Sequence, residues 1–108
     1  MSHDAQPYLD AVRASMTEAQ LQANVLDAMR TLRWRAYHTH DSRRSEWGFP
    51  DLCAVRGHRL LFAELKSTTG RLSPMQAQWI TDLEGTDAEV YVWRPEDWTS
   101  GGIVEVLR

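Results

Sequence analysis

Phe49-Pro-Asp-Leu-Cys-Ala-Val-Arg-Gly-His-Arg-Leu-Leu-Phe-Ala-Glu-Leu-Lys66 carries the pattern of a β-hairpin that brings two carboxylates and one ammonium onto a single face. Gly57-His58 fits a two-residue loop, with Gly at the first central position where a type II′ turn requires it, and paired residue numbers then sum to 115. In that register Asp51 lies opposite Glu64. Directly opposed side chains have Cβ atoms only about 4.5–5.5 Å apart, and two like charges so placed repel. A bound divalent cation reverses the sign of that interaction. Clusters of oxygen ligands suit Mg²⁺ or Mn²⁺, and strand alternation puts Lys66 on the same face as Glu64. The hairpin is therefore a candidate phosphodiesterase centre.

Pro50-Asp51, twelve intervening residues and Glu64-Leu65-Lys66 reproduce the PD-(D/E)xK nuclease signature. Three further blocks surround it in order: Thr17-Glu18-Ala19-Gln20-Leu21-Gln22, then Gly48-Phe49-Pro50-Asp51-Leu52, then Gly70-Arg71-Leu72-Ser73-Pro74-Met75-Gln76. With these the chain resembles the VRR-NUC family over roughly residues 17–107. The resemblance implies an α/β (α+β) nuclease fold, a central mixed β-sheet flanked by helices. It also implies metal-assisted hydrolysis of DNA, with Glu18, Asp51, Glu64 and the backbone carbonyl of Leu65 holding one or two Mg²⁺ or Mn²⁺ ions. Lys66 would orient the attacking water or steady the oxyanion, and Gln76 would hold a water or a phosphate oxygen. For short stand-alone members the resemblance implies a homodimer cutting branched DNA, four-way junctions in particular; larger relatives act on flaps and single chains.

Length and composition leave room for this. A chain of 108 residues makes one domain with its own core and no second one. No apolar run approaches the ~20 residues of a membrane span, and the start lacks a signal-peptide layout, so a cytosolic protein is expected. Cys53 is the only cysteine, which excludes an internal disulfide and a cysteine-based zinc site and leaves it an ordinary core residue. The net charge of −3 is unfavourable for a nucleic-acid partner, but its distribution is uneven. Arg30, Arg33, Arg35, Arg43 and Arg44 face only Asp41 and Glu46 across residues 30–46, whereas residues 82–108 hold seven acids against Arg94 and Arg108. The chain uses eleven Arg and a single Lys, Lys66, whose compact ammonium can approach a phosphate oxygen or a water as a point charge where a planar guanidinium cannot.

Residues 1–16 form an N-terminal segment in which Tyr8, Leu9, Val12 and Met16 have amphipathic spacing; it reads equally as a dimer-forming turn or as disorder. The nuclease-like domain occupies residues 17–108. Thr17 is an N-cap completed by Gln20, and Leu21, Val25, Ala28, Met29 and Leu32 mark one stripe of a helix reaching about Arg33. Glu18 shares the phase of that stripe; its alternative is an ordinary first-turn acid favouring the helix dipole. Gln22 either supports the site or flanks the core. Ala36 to His40 reads as a strand, with His38 and His40 as polar strand residues and metal ligation as their alternative, for which no further soft ligands are evident. Ser42, Arg43, Arg44 and Trp47, with Arg35 before them, are the candidate DNA-binding residues: a phosphate clamp with Trp47 as stacking or wedge residue, or else a solvated turn.

Beyond the hairpin, Ser73, Pro74 and Gln76 fit the N-cap, N1 and N3 positions of a second helix, with Trp79, Ile80 and Leu83 as its buried stripe and Gly85 as its cap. Capping explains Gln76 as well as an active-site role does. Glu89–Trp93 reads as a strand, Pro95–Trp98 as a helical turn, and Ile103–Leu107 as a last strand opened by Gly101-Gly102. Two rivals stay open: a sequence-specific or flap nuclease of the same fold, and a non-catalytic nucleic-acid-binding module.

Overall fold

The computed structural model describes residues 16–39 and 46–108. Helix α1 (Glu18–Thr31) starts as its sequence asks: Gln20 N–H donates to Thr17 Oγ1 (3.1 Å) and Thr17 N–H to Gln20 Oε1 (2.8 Å). Leu21, Val25, Leu26 and Met29 are buried, whereas Ala28 and Leu32 only border the core. The helix stops short of Arg33. Arg33 itself adopts φ 69°, Trp34 N–H donates to the Met29 carbonyl and Arg33 N–H to the Arg30 carbonyl. That is the Schellman pattern with Arg at the left-handed position where Gly is usual, which is why the boundary is hard to read from residue types.

Strand β1 (Arg35–His38) pairs antiparallel with β2 (Leu52–Arg56), and β2 pairs with β3 (Arg59–Leu65) in the expected register, from Leu52 opposite Ala63 to Arg56 opposite Arg59. Gly57 takes φ 60° while His58 is not left-handed, as a II′ turn requires. Strand β4 (Glu89–Trp93) joins β3 in parallel, so the sheet is mixed with order β1-β2-β3-β4. Leu52, Ala54, Leu61, Ala63 and Leu65 point to one face and form the core with α1. Cys53, Phe62, Glu64 and Lys66 fall on the other; Cys53 is half-buried there, not in the core. The connection from β3 to β4 is α2 (Pro74–Glu84), whose capping box uses Ser73 and Gln76 as the sequence indicates, with Gly85 as C-cap. None of its side chains is fully buried: Trp79, Ile80 and Leu83 are only half-covered, so the expected buried stripe is a shallow one.

The chain ends differently from its sequence pattern. After α3 (Pro95–Thr99), Gly101 turns at φ 84° and residues Gly102–Leu107 form α4, a helix and not a fifth strand. Ile103 and Leu107 stand four apart and bury completely in the core. The carbonyls at this helix end find donors: Trp34 Nε1 (2.8 Å) and Arg56 Nη1 (2.8 Å) on Leu107, and Arg59 Nη2 on Val106 (2.9 Å). Both guanidinium groups also stack on the Trp34 ring, 4.8 and 4.7 Å from its centroid. The hairpin turn thus anchors the C-terminus and leaves the other end of the hairpin for the acids.

Candidate active site

Asp51 is the residue before β2, delivered by a strap that Thr39 holds at two points: its N–H donates to the Asp51 carbonyl (2.8 Å) and its hydroxyl to the Pro50 carbonyl (2.7 Å). The Asp51 carboxylate turns across the hairpin, where Oδ2 accepts the Leu65 N–H at 2.7 Å. Glu64, next to Leu65 on β3, is 3 % exposed, the one charged residue type among the buried side chains described. Its Oε1 faces the Gln76 amide, with Nε2 3.4 Å away. Its Oε2 is buried without a hydrogen-bond partner.

That orphan oxygen and the Asp51 carboxylate explain one another. Two ionised carboxylates have no proton between them and so no donor; one proton, or one cation, supplies the missing bond. Burial first, then the hydrogen bond and negative charge of Asp51, push the Glu64 carboxyl from 4.5 up to about 9, with Lys66 opposing and Glu18 adding a smaller push upward. The donors at this end of the hairpin are oxygens, which suits a hard dication over zinc.

Glu18 stands at the rim. It is exposed, and its Oε1 accepts the Ser67 N–H at 3.3 Å, so it meets the site from above the chain segment that follows Lys66 rather than from the core stripe. Accordingly, no three His, Cys, Asp or Glu side chains among the described residues are gathered closely enough to enclose an ion. Lys66 is half-buried, its N–H donating to the Trp93 carbonyl (3.0 Å) and its charge felt by Glu64.

Gln76 caps its helix as expected and also reaches Glu64. Its Oε1 accepts the Ser73 N–H at 2.8 Å, closing the capping box, and this turns Nε2 toward Glu64. A residue without any sequence signal is Arg94, whose Nη1 donates to the carbonyls of Ser67 (2.8 Å) and Gly70 (2.6 Å) and fixes the loop after Lys66. Gln22 is half-buried on α1.

The candidate DNA contacts divide. Trp47 is 68 % exposed beside the strap, its carbonyl accepting from Trp79 Nε1 at 3.2 Å. Arg35 is exposed but pairs with Val55, four positions along β2 from Asp51, which puts it at the turn end of the hairpin and away from the acids. Ser42, Arg43 and Arg44, His40, and the N-terminal Tyr8, Leu9 and Val12 lie outside the described residues. A family model, the VRR-NUC domain, matches residues 3–96. Neither a curated protein nor a solved structure matches the chain.

Proposed function

The chain belongs to the VRR-NUC domain family, a nuclease-type domain with DNA as substrate, and we propose that it is a Mg²⁺- or Mn²⁺-dependent endonuclease that cuts branched DNA, four-way junctions above all, as a homodimer. The observation that carries this reading is the buried Glu64 with its orphan Oε2 beside the half-buried Asp51. A fold selected for stability alone gains nothing from opposing two acids. Asp51, Glu64 and the Leu65 carbonyl, with Glu18 at the rim, would hold a dication, which would supply the missing counter-charge and polarise the scissile phosphate and an attacking water.

The side chains around it have distinct tasks. The Leu65 N–H holds Asp51 through one carboxylate oxygen, Oδ2. Gln76 holds Glu64 through Nε2 while its Oε1 is engaged in the helix cap. Lys66, on the same face, orients the water and steadies the charge that builds on the phosphate oxygens. Arg94 ties down the loop that follows Lys66 through the Ser67 and Gly70 carbonyls.

Size, charge and shape favour a branched substrate. One domain offers one centre, so symmetric paired cuts need two copies. A net charge of −3 with its arginines concentrated in residues 30–46 gives a small footprint on DNA that pairing doubles. There is no recognition-helix or zinc-finger pattern for reading base edges, whereas the exposed Trp47 can wedge or stack on an unpaired base. Incubating linear duplex, flap and four-way junction DNA with and without Mg²⁺ tests the proposal. Cutting of the junction only in the presence of the ion supports it, and absence of ion-dependent cutting on all three refutes it.

A further inference from the structure

Gly48 sits at φ 83° in the strap that delivers Asp51, and the first turn of α2 passes against it. A Cβ built there lies 2.6 Å from the Met75 carbonyl carbon, 2.8 Å from the Gln76 nitrogen and 2.8 Å from Met75 Cβ. The first two are backbone atoms and cannot rotate away. Gly57 and Gly101 also have positive φ, yet a Cβ at either meets nothing within 4 Å. Among these three glycines only Gly48 is required by close approach as well as by backbone conformation.

The contact is reinforced on both sides. Phe49 meets Trp79 edge-on at 5.0 Å and Phe62 at 5.9 Å, and Trp79 Nε1 donates to the Trp47 carbonyl. No fully buried side chain of α2 fixes where its N-terminus lies. What that N-terminus carries is Gln76, whose reach to Glu64, 3.4 Å, is already at the limit of a hydrogen bond.

We propose that Gly48, with Trp79 as its lock, is a positioning residue: the missing side chain sets how closely α2 approaches the Asp51 strap and thereby holds the Gln76 amide on Glu64. A methyl group at residue 48 forces the helix back by roughly 1 Å to reach ordinary contact, and a retreat of that size breaks the Gln76–Glu64 contact. The kinetic consequence rests on the nuclease reading given above; the geometric one does not.

The test compares Gly48→Ala with Gly101→Ala, which introduces the same left-handed strain without the clash, and with Trp79→Phe, which removes the indole donor and keeps an aromatic ring. In NMR spectra the side-chain NH₂ signals of Gln76 shift in Gly48→Ala and Trp79→Phe and stay in place in Gly101→Ala; unmoved Gln76 signals in the first two overturn the proposal. In cleavage assays Gly48→Ala lowers kcat by about 10–100-fold with KM retained, and adds no further loss on a Gln76→Ala background. An equal additional loss on that background overturns it, because a general structural defect is additive. Should Gly48→Ala not fold, Trp79→Phe carries both readouts, with a smaller loss in the same direction. If the wild type cuts no DNA the nuclease reading fails, and the Gln76 signals still decide the positioning role.

Discussion

Replacing Glu64 by Gln should stabilise the metal-free protein at neutral pH, against the usual outcome for a buried substitution. The Glu64 carboxyl titrates near 9 in the fold and at 4.5 when unfolded. Between those values the unfolded chain has released a proton that the folded one retains, so stability falls as pH rises, by up to about 1.4 kcal/mol per unit. The contribution is present in full below 4.5 and is lost progressively toward 9. At pH 7 the ceiling on the penalty is about 3 kcal/mol.

Gln keeps the volume and the oxygen that receives the Gln76 amide, and puts an N–H donor where Oε2 is now buried without a partner. It is a permanent mimic of the protonated acid. Thermal melts in chelator from about pH 5 to 9 should therefore coincide at the acid end and diverge upward, the variant melting roughly 5 °C or more above wild type at pH 7. The titrating groups away from the site are common to both proteins, so the difference reports residue 64 together with the groups it interacts with, Asp51 first. Mg²⁺ should close the gap from the wild-type side, since a cation replaces the proton. Parallel curves across the range would refute the opposed-acid reading of the site.

Asp51→Asn and Glu18→Gln should each abolish ion-dependent cleavage while preserving the fold by circular dichroism, and unchanged turnover by Glu18→Gln would remove that residue from the centre. Lys66→Arg should be nearly as damaging as Lys66→Ala, about 10²–10³-fold in kcat, because the position needs a compact donor; near-normal turnover by Arg would reduce Lys66 to a charge. Light scattering should give a dimer at micromolar concentration, and a four-way junction should be cut faster than a linear duplex of equal sequence. A strict monomer, or equal rates, would end the junction reading and leave the nuclease one standing.

The sequence by itself determined the features whose physics is local. Gly57 and the alternation around it set the hairpin register, and so brought Asp51, Glu64 and Lys66 to the same end of the hairpin. Thr17 with Gln20 and Ser73 with Gln76 announced two helix starts three residues at a time. The tertiary structure decided what depends on distant partners. Ile103 to Leu107 is an apolar run too short for period to separate strand from helix, and it became α4 because Trp34, Arg56 and Arg59 reach its carbonyls from far along the chain. Glu18 shares the phase of the buried stripe yet sits at the rim, since this first-turn side chain reaches the Ser67 N–H just past the end of β3. Gln76 turned out to cap its helix and hold Glu64 at once, and Gly48 matters because α2 returns to within touching distance of the strap. Residue type and spacing record which groups a segment carries; how near two segments come is fixed only when the core between them has packed.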